Sequence, residues 1–180
     1  MARIPYVDEA EASPEVAEAL REVRRHHGTV SAVQSVLAHS PAALRAYERC
    51  ALALRTVKGV EARARELVIL RSAHILGNAY AWRRHLGSGR EAGLTAEEIA
   101  ALRESSASTT LADRDRILLR LVDEHLYLRQ ARADTIADVR AEYGDAQLVE
   151  ILFVLGWYQL AATIMVPLDL AADDSNGGGA

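Results

Sequence analysis

Apolar residues along this chain recur mostly at spacings of three and four, and no stretch alternates apolar and polar side chains between turn dipeptides. That period predicts helices and no sheet, and the abundance of Ala, Leu, Glu and Arg favours the same state. The fold class read from the pattern is all-α. Ser13-Pro14-Glu15-Val16 supplies a capping serine, a proline at the first helical position and an early acid, which starts a helix running to about Arg25. Ser31 and Ser40-Pro41 open the next two, over 32–38 and 41–56, and Lys58-Gly59 closes the second. A strongly helical stretch from Glu61 to Leu76 meets Gly77, after which another helix runs from Asn78 to about Ala92. Gly93-Leu94-Thr95-Ala96-Glu97-Glu98 reads as a glycine stop followed by a capping box opening a helix over 96–103. Helices over 112–128, 132–143 and 146–171 follow a polar linker at 105–110, and a Gly-rich tail from Asp173 is expected to be disordered.

From Ile151 to Leu168 the pattern loses its polar face: ILFVLGWYQLAATIMVPL is apolar apart from Gln159 and the small hydroxyl of Thr163. A membrane span needs about 20 such residues with suitable flanks. Here Glu150 and Asp169 bracket the run and Pro167 lies near its end, so the segment is expected to be a central core helix rather than a span. Glu66-Leu67-Val68 is echoed by Gln147-Leu148-Val149 about eighty residues later. The echo fits a duplicated helical unit and equally fits chance in leucine-rich helices.

With 180 residues, half of them apolar, the chain can bury one sizeable core, and a single domain over 1–172 is expected. Its 21 basic and 25 acidic residues are interspersed, leaving a net charge of −4, which argues against nucleic acid as a partner. The opening MARIPYVDEAEASPEV carries charges and prolines where a signal peptide has its apolar stretch, so a cytoplasmic location is expected. Cys50 is the only cysteine, and no His, Glu or Cys spacing suits a metal; neither a disulfide nor a metal centre is predicted.

The stretch RELVILRSAHILGNAYAWRRHLGSGREAGLTAEEIAAL, residues 65–102, resembles the signature of the carboxymuconolactone decarboxylase and alkylhydroperoxidase D superfamily. In that signature a glutamate opens a leucine-rich helix. A glycine, a block that is often Cys-x-x-Cys, a histidine four residues on, and a Gly-Leu-Thr/Ser turn into a short acidic helix follow. The matching positions are Glu66, Gly77, the block from Asn78 to Ala81, His85 and Gly93-Leu94-Thr95. RIPYVD near the start, VLAHSPAALRAY at 36–47 and the late apolar helix extend the resemblance over about residues 3–170. It implies a helical bundle of the alkylhydroperoxidase D type and assembly into a homo-oligomer: a dimer, trimer or hexamer.

The departures carry more information than the matches. Asn78 and Ala81 occupy the two cysteine positions, and Tyr80 stands where the redox members have a histidine between them. Neither an amide nor a methyl group forms a thiolate, so thiol–disulfide exchange is excluded at these positions. Glu66 and His85 remain. On a helix, residues 78, 81, 82 and 85 share one face, which places His85 over the vacated positions with Ala81 leaving space, Trp82 as a wall and Asn78 as a polar cap. Glu66, Tyr80 and His85 then form a candidate acid–base set, with Asn78, Ala81 and Trp82 as substrate contacts. Arg71, Arg83 and Arg84 are candidate carboxylate binders. Trp157 and Tyr158 are read as packing.

Such a set suits proton transfer at carbon in a small organic acid, lactone or related carbonyl compound, as decarboxylation, elimination or isomerisation, without a cofactor. The alternative is a non-catalytic relic that binds a small ligand or partner. A peroxidase working through Cys50 ranks behind both.

Overall fold

The computed structural model describes residues 2–170, and among these the regular structure is helical throughout. The helices are α1 (Pro14–His27), α2 (Ala32–Leu37), α3 (Pro41–Leu54), α4 (Ala62–Ile75), α5 (Ala79–Glu91), α6 (Ala96–Ala101), α7 (Asp113–Leu128) and α8 (Ala133–Met165). The expected tail from Asp173 lies outside the described residues. The two helices predicted at 132–143 and 146–171 lie within the single span of α8, where Gly144 at φ 78°, ψ 168° interrupts the helical backbone between them. The second stops at Met165 rather than at 171, two residues short of Pro167, whose ring excludes the preceding residue from helical angles.

The chain gathers into two compact units, one of residues 1–56 with the segment from Met165, the other Val57–Ile164. In the first, α1 starts on a Ser13 Oγ that accepts from the Val16 N–H at 3.4 Å, with Pro14 as its first residue. It ends on Gly28, whose φ of 75° is the left-handed conformation that glycine adopts at low cost. Ala19, Leu20, Val23, Ala38 and Leu44 form its buried cluster. A polar clamp ties the helices together: Glu48 accepts from Gln34 Nε2 at 2.8 Å and bonds His27 Nε2 at 2.6 Å, while Arg55 reaches His27 Nδ1 at 3.1 Å.

The second unit is built around α4, which packs against α5 and α7. Leu67, Ile69 and Leu70 are at most 2% exposed, and each contributes on the order of 1.5–3 kcal/mol by leaving water. α4 also buries Glu66, Arg71 and Ser72, a burial that requires partners for each. Ser72 Oγ donates to the Val68 carbonyl at 2.6 Å. Arg71 places Nε and a terminal nitrogen on Asp123 at 2.7 and 3.0 Å and donates its other one to the Leu102 carbonyl at 2.7 Å.

The expectation that the apolar run from Ile151 forms the central core helix is corrected here. α4 is the helix enclosed over most of its length, from Glu66 to Ala73, and α8 is buried on one side only. Ile151, Val154, Leu155, Ala161, Ala162 and Met165 are covered, whereas Val149, Phe153 and Leu160 are 66%, 46% and 46% exposed on the opposite side. Helix α8 is long and apolar enough to cross a membrane by length and composition alone, with 44% of its most apolar window buried. The sequence echo likewise joins unlike environments, since Val68 is fully buried and Val149 is exposed.

Candidate functional site

The site is set by the junction between α4 and α5. Gly77, at φ 66°, turns the chain out of α4. The N–H of Asn78 bonds the Ala73 carbonyl at 2.8 Å and that of Gly77 bonds His74 at 3.1 Å. These two bonds make a Schellman close, which needs the left-handed residue that glycine supplies. Asn78 then caps the next helix, its Oδ1 accepting from the Ala81 N–H at 3.0 Å. With no intervening loop, α5 folds back along α4 and carries His85 to Glu66.

Glu66 Oε2 lies 2.9 Å from His85 Nδ1, and the hydroxyl of Tyr158, from the buried side of α8, lies 2.9 Å from His85 Nε2. The Tyr158 ring meets the imidazole edge-on, at 84° between planes with centroids 5.3 Å apart. Glu66 is 8% exposed and His85 is half-buried. An ionised carboxylate can only accept, so Nδ1 carries the proton of the neutral ring, and Nε2 accepts from the phenol. The result is a directed chain, Tyr158 O–H to His85 Nε2 and His85 Nδ1–H to Glu66.

Glu66 and His85 therefore come together as the sequence predicts. Tyr80 does not join them. At 100° per residue it lies roughly 140° around α5 from His85, and the tyrosine that meets the imidazole is Tyr158, read from sequence as packing. No local signal identifies Tyr158, because it stands 73 residues beyond His85 and in register with the apolar residues of α8. Asn78 is buried, and the oxygen read as a substrate contact is used as a helix cap. Ala81 is buried at 5% exposure. Trp82 is buried as well, with the Arg103 guanidinium 4.5 Å above its ring and His74 edge-on at 6.1 Å. Its Nε1–H is buried without a hydrogen-bond partner among the described residues. Desolvation, followed by the like charges of Arg71 and Arg103, holds His74 below the usual imidazole range.

Arg71 is withdrawn from the candidate carboxylate binders by its bonds to Asp123 and Leu102, while Arg83 and Arg84 are exposed. Cys50 is exposed on α3. Among the described residues no three His, Cys, Asp or Glu side chains gather as metal ligands.

Comparison with solved structures places the fold among alkylhydroperoxidase-type proteins. A protein of unknown function from Agrobacterium tumefaciens, named as an AhpD antioxidant-defence candidate, is 25% identical with a TM-score of 0.69, over 76% of this chain and 94% of that one. An uncharacterised peroxidase-related protein from Ralstonia eutropha with an alkylhydroperoxidase AhpD core is 17% identical with a TM-score of 0.76, over 96% and 93%. The debrominase Bmp8, as a cysteine-to-alanine variant in complex with 2,3,4-tribromopyrrole, is 11% identical with a TM-score of 0.75, over 97% and 95%. No curated protein matches the sequence. Residues 41–124, which include Glu66 and His85, match the model of the carboxymuconolactone decarboxylase family. With that match and these folds together, residues 41–124 are a carboxymuconolactone decarboxylase family segment, and the chain has the helical fold of AhpD-like proteins.

Proposed function

We propose that this protein is a cofactor-independent acid–base enzyme that moves a proton at carbon in a small organic acid, lactone or related carbonyl compound. The observation that carries the reading is the buried Glu66 carboxylate 2.9 Å from His85 Nδ1, beside positions 78 and 81, where thiols are absent. Histidine is the side chain suited to exchanging protons near neutral pH, and a carboxylate on its far nitrogen fixes the ring's tautomer and orientation. The orphaned indole N–H of Trp82 supports a ligand in the vicinity of α5, since a buried donor left unpaired costs about 1–3 kcal/mol and a ligand oxygen would satisfy it.

The similarity to peroxidase-related proteins does not bring thiol chemistry with it, because the motif positions that would hold a dithiol are Asn78 and Ala81. The test is proton exchange in deuterated water across a panel of carboxylated lactones and β-keto acids, followed by NMR. The wild type should label or decarboxylate at least one member, and Glu66→Gln and His85→Ala should each lose about 10²-fold or more of that rate. Binding with the ligand recovered unlabelled and intact would replace this reading by that of a ligand-binding protein.

A further inference from the structure

We infer that the group meeting the substrate is the Tyr158 hydroxyl, with His85 and Glu66 behind it as a relay; the inference rests on the acid–base reading above. Both nitrogens of His85 are engaged, Nδ1 by Glu66 and Nε2 by Tyr158, each at 2.9 Å. An imidazole with neither nitrogen open cannot itself approach a substrate without giving up one of these bonds. The phenol oxygen is the next atom along the chain, and a proton passing between His85 and a substrate travels through it.

The direction is fixed by the donor inventory. Glu66 accepts from Nδ1–H, leaving Nε2 as a bare acceptor aimed at the phenolic proton. When a substrate C–H is broken, the phenol oxygen takes the substrate proton while its own proton moves to Nε2. The products are a substrate carbanion or enolate, a neutral phenol and an imidazolium held between Tyr158 and the Glu66 carboxylate. Reprotonation runs the same two transfers backwards. The arrangement follows the logic of a Ser-His-Asp triad, with a phenol at the reacting end and the carboxylate buried at the other. A neutral phenol is also a hydrogen-bond donor suited to a developing enolate oxygen, which favours carbonyl substrates. Tyr158 is thus the catalytic residue, and His85 and Glu66 position and drive it.

Two measurements test this without a known substrate. Nitrogen-15 NMR of the His85 ring reads its neutral tautomer, which should be Nδ1–H in the wild type; an Nε2–H ring would mean that the imidazole donates towards Tyr158 and would overturn the inference. Acylation by p-nitrophenyl acetate reads the reacting atom: the phenol oxygen bonds the acetyl carbon, nitrophenolate leaves, and the phenolic proton passes to His85 Nε2. Mass spectrometry should find the acetyl group on Tyr158, reduced by about tenfold or more in His85→Ala and less in Glu66→Gln. Acetyl transfer on and off His85 at an equal rate in the wild type and in Tyr158→Phe, with none on Tyr158, would overturn the role of the phenol and leave the acid–base reading standing. Acylation of both residues at the rate of the bulk tyrosines, unchanged in Glu66→Gln and His85→Ala, would overturn both.

Discussion

Replacing Arg71 with Met separates a structural arginine from a substrate-binding one. Arg71 is 3% exposed and makes three bonds, two to the Asp123 carboxylate at 2.7 and 3.0 Å and one to the Leu102 carbonyl at 2.7 Å. Met keeps much of the side-chain volume, so the loss is mainly of charge and hydrogen bonds. It leaves Asp123, whose side chain is 18% exposed, without its counter-ion, and Leu102 without a donor. Breaking a buried pair from one side costs about 3–5 kcal/mol. For a chain of this size that corresponds to a fall in melting temperature of roughly 6–20 °C. The pair itself is worth far less, because removing both charges also removes both desolvation costs; Arg71→Met with Asp123→Leu should recover most of the loss. Urea unfolding followed by circular dichroism measures both variants, with the slope checked for two-state behaviour because the chain has two units. A single variant destabilised by less than about 1 kcal/mol, or a double variant no better than the single, would refute the reasoning.

Three further outcomes follow from the geometry. Val149, Phe153 and Leu160 form an exposed apolar stripe on α8, and we propose that a second copy of the chain covers it; light scattering should show an oligomer that Phe153→Glu with Leu160→Glu converts to monomer, and an unchanged mass would reject that surface. Burial pushes the Tyr143 phenol up to about 12. The folded state therefore holds that proton more tightly than the unfolded chain, and stability is lost as pH rises from about 10 to about 12. Tyr143→Phe should flatten this alkaline decline, which denaturation at a series of pH values would reveal. Cys50 is exposed and outside the site, so peroxide consumption with a thiol reductant should be the same in the wild type and in Cys50→Ser; a clear excess in the wild type would restore a redox role.

The helices were legible because their ends are written in local chemistry. Ser13-Pro14, Gly77 and Thr95-x-x-Glu98 act within a few residues of one another, and each caps or closes a helix as its spacing indicates. What is buried against what was less legible. α4 has a larger share of polar residues than α8 and is nevertheless the more enclosed one, because Arg71, Ser72 and Glu66 each find a specific partner, and such pairing leaves no periodic trace. The same limit governs the site. Glu66 and His85 lie in one motif and were found together, whereas Tyr158 is brought to His85 from the distant α8 by tertiary packing. Tyr80, nearer in sequence, lies around the helix from the face that matters. Asn78 shows a related limit: the oxygen of an amide at a helix start is used by the helix before it is available to a ligand.

The central claim is that Glu66 and His85 act as one proton-transfer unit. The most direct measurement is deuterium incorporation at carbon into the panel of carboxylated lactones and β-keto acids, compared among the wild type, Glu66→Gln, His85→Ala and the double variant. Residues acting as a unit are non-additive, so the double variant should be little slower than His85→Ala alone. Single variants that exchange at the wild-type rate, or losses that simply multiply in the double variant, would contradict the account.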